Sequence, residues 1–300
     1  MTAAAAAAAA RPTRVVDAHV HLWDPANTDW YPYLSDRRQL DLGDVTGMAR
    51  RFDVPTYLVE SAGWNVQKMV NVAAATGPHS IDETLAIDRQ ADVDGHPAAI
   101  IGGVTPTKSA AEAVGQIDRQ MEASRFRGVR PMGAFEDPLP PVDVLRALQD
   151  RSLVFELMAH PDRLQQAARG LAGFEQLVVV VEHAGWPRSS APDEFALWKV
   201  GMEALAGLGD NVVCKLSGLA MPLGSMTVDA FAPWLEFAIE TFGVDRCMFA
   251  SNFPVDGLHG TYDELYSTFA AVTAWLDDSS RENLFAANAE RIYRFQESRR

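Results

Sequence analysis

The chain has 300 residues, 48% of them apolar and 22% charged, a balance that excludes wholesale disorder and supports a sizeable core in one large domain or two ordinary ones. Forty Asp and Glu against 26 Lys and Arg leave a net charge of −14, which opposes phosphate backbones and anionic membrane surfaces and excludes nucleic acid and membrane as expected partners. Two cysteines, Cys214 and Cys247, both within apolar runs, exclude a disulfide framework and a cysteine zinc site. No segment approaches the roughly 20 apolar residues of a membrane span, and the opening MTAAAAAAAARPTR lacks the basic start and Leu-rich core of a signal peptide. A cytoplasmic setting is expected, with residues 1–14 as an alanine-rich flexible leader and residues 15–300 as the folded domain.

Eight short β-rich runs follow in chain order, with longer helix-compatible stretches between them. They are Val15–Val20, Thr56–Ser61, Ala99–Val104, Phe126–Arg130, Leu153–Met158, Leu177–His183, Asn211–Ser217 and Arg246–Ser251. Helices are expected over Ala110–Ala123, Val142–Asp150, Asp193–Leu208 and Thr227–Phe242, among others. No strand-to-helix junction carries a glycine-rich phosphate loop, which argues against a nucleotide-binding open sheet. The pattern predicts a single (β/α)₈ TIM barrel of the α/β class, whose chemistry is assembled where strands end.

The polar groups at those ends are therefore the candidates. On the first strand, side-chain alternation puts Asp17, His19 and His21 on one face, and two imidazoles sharing a cavity can bind one divalent ion or hold a substrate. The pair reads equally well as core histidines bonded to backbone. Glu60 and Trp64 fall at the rim after the second run, where Trp23, Trp30 and Trp186 can also line a pocket. Arg130 ends the fourth strand, suited to fork onto a carboxylate or carbonyl, or to a structural ion pair. Glu156 lies among apolar neighbours on the fifth, with Lys215 as its natural partner. On the sixth, Glu182 and His183 face opposite ways; His183 is expected at the mouth and Glu182 toward the helices or solvent. The eighth leads into Asn252 and Asp256.

Taken together, VDAHVHLWDP, GVR, VVEHAGWP, NVVCKLSGL, RCMFASNFPVD and NLFAANAERIYRF resemble the amidohydrolase superfamily over nearly the whole chain from Val15 to Phe295. More narrowly they are similar to the amidohydrolase-related TIM-barrel hydrolases that include sugar-acid lactonases and the 2-pyrone-4,6-dicarboxylate lactonase. The resemblance implies a hydrolase that opens a lactone or cyclic ester with water. His19, His21 and His183 would surround the carbonyl, around one divalent cation (Zn or Mn) in some members and without a metal in others. An acidic residue in the eighth-strand motif would activate the water.

Here that position is Asn252, which has no useful basicity but can orient water or donate to an oxyanion. Its neutrality weakens both the base and the metal site. Glu60, Asp256 and Glu156 are the substitute bases, with Glu60 and Asp256 favoured by position. The expected catalytic set is Glu60, His183, Asn252 and Asp256. Arg130, Trp64 and Glu156 are expected to bind a small, anionic substrate, and His19, His21 and His183 a metal. The alternatives are a metal-independent isomerase, decarboxylase or cyclase on the same barrel and, from another class, a non-catalytic ligand-binding homologue. The partner expected is a small molecule; the oligomeric state is not set by the sequence.

Overall fold

The computed structural model describes residues 11–35, 44–132 and 139–295. Residues 1–10 of the expected leader lie outside the described residues. Eight strands form one sheet in the order of the sequence, and every neighbouring pair is parallel. They are β1 Val15–Val20, β2 Val66–Val72, β3 Ala99–Val104, β4 Phe126–Pro131, β5 Val154–Leu157, β6 Val179–Val181, β7 Val212–Leu216 and β8 Cys247–Phe249. A parallel bridge between Val20 and Phe253 brings the last strand back to the first, with Asn252 N donating to His19 O at 2.9 Å. The result is a single (β/α)₈ barrel. No helix among the described residues is long and apolar enough to cross a membrane.

The expected second strand is corrected. Thr56–Ser61 belongs to a helix, α1 Val54–Glu60, and the strand lies later, at Val66–Val72. Asp53 caps α1, accepting from Thr56 N at 3.1 Å and Thr56 Oγ1 at 2.7 Å, and Pro55 occupies its first turn, where a missing N–H costs nothing. Val54 and Tyr57 face inward while Val59 stays 75% exposed, so the apolar run is one helix face plus surface residues. The true strand, VQKMVNV, was hidden because Gln67, Lys68 and Asn71 interrupt it.

Inward-facing side chains such as Val16, Val70, Ile101, Val154, Val180, Val213 and Met248 fill the barrel. Ala286, Ala289, Ile292 and Tyr293, from the final turns and α9 Asn288–Tyr293, pack onto the same cluster. Alternate residues, including Phe155, Val179, Val181, Leu216 and Phe249, pack outward with the helices. These include α2 His79–Asp94, α3 Ala110–Gln120, α4 Val142–Asp150, α5 Pro161–Leu171, α6 Pro192–Ala206, α7 Val228–Phe242 and α8 Tyr262–Val272. Each buried Leu, Val or Phe gains about 1.5–3 kcal/mol from leaving water, which is what fixes the strand parity.

Candidate active site

The site starts from a slip in β1. Asp17 pairs with Met69 but Val20 with Asn71, so three steps on β1 match two on β2 and the alternation is broken between them. This overturns the expectation that Asp17 shares a face with the histidines. Asp17 accepts from Tyr57 OH at 3.0 Å, Tyr262 OH at 3.1 Å and Ser251 N at 2.8 Å, away from the cavity. His19 and His21 do meet, with their Nε2 atoms 3.1 Å apart.

The hydrogen-bond directions around them can be followed. His21 Nδ1 lies 2.8 Å from Val72 O, and a carbonyl only accepts, so Nδ1 carries the proton and Nε2 its lone pair. Burial, helped by Arg130, pushes the His21 pKa down to about 3. Burial and the nearby cations Lys215 and Arg130 also hold His19 and His183 well below their ordinary values. All three imidazoles are neutral near pH 7.

On β6 the side chains of Val180 and Glu182 share the inward parity, and the chain then leaves strand geometry, with φ of +50° at both His183 and Ala184. That turn brings His183 inward as well, so Glu182 is not directed to the helices or solvent as expected. Glu182 is buried, with Oε1 3.9 Å from His19 Nδ1 and Oε2 3.9 Å from His183 Nε2 and 3.4 Å from Arg130 NH1. Its Oε1 has no hydrogen-bond partner. Burial pushes its pKa up to about 8, with Arg130 pulling the other way and Glu156 adding repulsion. His183 Nδ1 lies 3.0 Å from Ser217 Oγ, and Gly218 leaves room for the imidazole: a Cβ there would sit 2.6 Å from the ring.

After β8, Asn252 adopts φ of +56°, a conformation asparagine tolerates better than most residues. Its Nδ2 donates to Asp256 Oδ1 at 2.9 Å, while Asn252 Oδ1 and Asp256 Oδ2 are buried without partners. Burial pushes the Asp256 pKa up to about 7, against the hydrogen bond from Asn252.

A cavity of about 200 Å³ opens above these groups, lined by His21, Arg130, His183 and Asn252 and by Trp23, Tyr33, Trp186 and four methionines. Other expected residues lie elsewhere. Glu60 is on the last turn of α1, paired with Arg50 at 2.7 Å, and Trp64 donates to Asp263 Oδ1 at 3.0 Å beneath the Arg11 guanidinium. Neither lines the cavity, because the strand that would have carried them there is a helix. Ala74, just past β2, lines it instead. Glu156 also lies off the cavity, 2.6 Å from Lys215 Nζ, with Tyr293 OH donating to it at 2.6 Å. Burial would raise its pKa, but the Lys215 charge, the neighbouring Glu182 carboxyl, which keeps the proton of the pair, and these hydrogen bonds hold it below the ordinary value. Sequence reasoning missed Glu182, which its parity with Val180 could have revealed, and the methionines Met48, Met132, Met158 and Met221, for which no local signal exists.

The family profile described as amidohydrolase matches residues 16–295. The chain belongs to the amidohydrolase family. This amidohydrolase is 31% identical to an uncharacterised protein of Sinorhizobium fredii, covering 93% of this chain and 98% of the relative. It is 28% identical to an L-fucono-1,5-lactonase of Burkholderia ambifaria, over 93% of this chain and 95% of that one. Among solved structures, a zinc-bound amidohydrolase from Burkholderia multivorans superposes with a TM-score of 0.79 at 22% identity, covering 95% of this chain and all of the other.

The donor set of this amidohydrolase fits a divalent cation. One ligand atom each from His19, Glu182 and His183 lies within 4.8 Å of the others, and Glu182 Oε1 is buried with no hydrogen-bond donor on it, which leaves it open to a cation. The 3.1 Å between the His19 and His21 Nε2 atoms is also near the roughly 3.3 Å edge of a tetrahedral zinc site.

Proposed function

We propose that the protein hydrolyses a carboxylic ester, most specifically the carbonyl of a small lactone. The carrying observation is the placement of Glu182: a buried carboxyl just behind the cavity wall, 3.9 Å from His19 Nδ1 and from His183 Nε2 and 3.4 Å from Arg130, with one oxygen on which no donor sits and a pKa that burial raises. A general base works best when its pKa lies near the operating pH. Buried imidazoles pushed far below their usual range do not meet that condition, and Glu182 replaces Glu60 and Asp256 as the proposed base.

The lactone carbonyl enters toward His21, His183 and Arg130. Asn252 Oδ1 accepts from the incoming water and aims its lone pair, while Asp256 holds the amide from behind through the 2.9 Å bond. Glu182 takes the water proton as the oxygen bonds to the carbonyl carbon. Arg130, facing the developing oxyanion, stabilises it. The ring C–O bond then breaks and the leaving alkoxide receives the proton back from Glu182. Were a cation bound, His19, His183 and Glu182 would hold it, Glu182 then acting as a ligand in place of its role as base, and the cation would supply Lewis-acid polarisation of the carbonyl and a more acidic water.

A second reading is favoured by one observation. Lys215 Nζ lies 3.4 Å from His19 Nδ1, so the chain Lys215 to His19 to His21 to Val72 O satisfies every donor without an ion and leaves a proton on His19 Nε2. This suits metal-independent proton-transfer chemistry such as isomerisation or decarboxylation. Turnover of a lactone panel followed by pH-indicator release, before and after chelation, together with metal content, separates the two. About one equivalent of zinc or manganese lost together with hydrolysis supports the metal-assisted lactonase; hydrolysis that persists after chelation supports a lactonase working without a metal; and a metal-free protein that turns over none of the lactones supports the second reading. No hydrolysis of any lactone overturns the first.

A further inference from the structure

We infer that the substrate carries an apolar body, an alkyl- or aryl-substituted lactone, and not a polyhydroxylated sugar lactone. This rests on the reading above that the cavity is where a lactone is opened, and it narrows that reading to a substrate class.

Polar atoms are unevenly distributed around the cavity. Away from the carbonyl end, the walls are made by Met48, Met132, Met158, Met221, Trp23 and Trp186. The polar atoms of two lining aromatics are already engaged with backbone: Trp23 Nε1 donates to Arg50 O at 3.0 Å and Tyr33 OH to Ala74 O at 2.9 Å. These rings therefore offer the cavity faces and edges without a free donor. Among the described residues, the side chains that present nitrogen or carbonyl oxygen to the cavity are His21, Arg130, His183, Asn252 and, by its indole nitrogen, Trp186. The first four are used at the reacting carbonyl, where the Arg130 charge is shared with Glu182 at 3.4 Å, which leaves the single Trp186 N–H for the several hydroxyls of a sugar.

A sugar lactone would bring several hydroxyls against thioether and indole carbon. Each hydroxyl stripped of water without a partner weakens binding on the order of tenfold. An alkyl or aryl substituent gains from the same walls, and methionine, unbranched and polarisable, adapts to different substituent shapes. Tolerance of chain length is expected together with rejection of hydroxyls.

The test pairs turnover with binding on the as-isolated protein. δ-Decalactone and a 6-phenyl δ-lactone are compared with an aldono-1,5-lactone for kcat/KM. The inert 6-pentyl piperidin-2-one is compared with a tetrahydroxylated piperidin-2-one for binding by tryptophan fluorescence. The expected result is a preference of about 100-fold or more for the apolar lactones, consistent with two or more unpaired hydroxyls, and tighter binding of the apolar lactam. Preference for the aldonolactone overturns the inference and leaves lactone hydrolysis standing. Failure to hydrolyse any lactone while the apolar lactam binds more tightly removes the hydrolytic reading and supports the apolar class. Equal, weaker or absent binding of the apolar lactam relative to the hydroxylated one overturns it. Met158→Gln and Met221→Gln are each expected to cost the apolar lactam several-fold in affinity and the hydroxylated lactam less.

Discussion

Asn252 and Asp256 share one hydrogen bond, and that bond decides which end of the amide faces the cavity. With Nδ2 committed to Asp256, Oδ1 is left for water. Asp256→Asn is expected to lower kcat on the order of tenfold with little change in KM, since water loses its orientation but the substrate keeps its contacts. Asn252→Asp alone puts two carboxylates at hydrogen-bond distance, so one must keep a proton. The pair then has a raised pKa in the folded state, and its stabilisation is lost as pH rises through that value. The melting temperature of Asn252→Asp should fall more steeply above neutral pH than that of the unaltered protein, and the exchanged double variant Asn252→Asp, Asp256→Asn should restore the original slope. An unchanged slope in the single variant would remove this account of the pair.

Strand ends are the elements that build the site, and two of them depend on contacts from a neighbouring segment. The His183 ring occupies the space above Gly218, whose φ of +69° also disfavours a side chain. Gly218→Ala is expected to displace the imidazole and cut kcat/KM about 10²-fold, the scale of a misplaced catalytic group, with circular dichroism unchanged. At the end of β2, Glu83 on α2 accepts from Ala74 N and Ala75 N at 3.0–3.2 Å and from Tyr31 OH at 2.9 Å, fixing the turn that lines the cavity. Burial raises its pKa to about 7 in spite of these bonds. A raised carboxylate pKa means the folded state holds its proton more tightly, so this stabilisation is complete below the unfolded value of 4.5 and is lost as pH rises through about 7. Relative to Glu83→Gln, the unaltered protein should lose up to about 3 kcal/mol between these limits, read by urea denaturation at each pH. A constant difference across that range would contradict it.

At the scale of the molecule, β5, β7 and the C-terminal helix α9 meet in one buried cluster, where Lys215 bonds to Glu156 and Tyr293 OH completes the carboxylate. Lys215→Met leaves that carboxylate unpaired in the barrel and should destabilise the fold by about 3–5 kcal/mol, while Lys215→Met combined with Glu156→Leu should recover most of it. Urea midpoints for the single and double variants decide this. The alkyl or aryl lactone inferred above is uncharged, so the net charge of −14 neither attracts nor repels it and kcat/KM is expected to vary little with added salt; a steep change would reveal a charged substrate.

The barrel was legible because parity, length and spacing are local: seven of the eight expected runs overlap observed strands, and the apolar alternation within them dictates which residues face the helices. The same locality explains the failure at 56–61, where a helix cap at Asp53 and a half-exposed face produce a strand-like run, and at 66–72, where polar residues conceal a real strand. The sequence by itself determined the eightfold βα order, the family and the meeting of His19, His21 and His183 at one end. Only the tertiary structure decided the rest. The slip in β1 turned Asp17 away, and the left-handed turn after β6 brought His183 in beside Glu182. Packing then gathered four methionines from distant parts of the chain into one wall. Those features depend on contacts between residues far apart in sequence, which no periodicity within a single segment records.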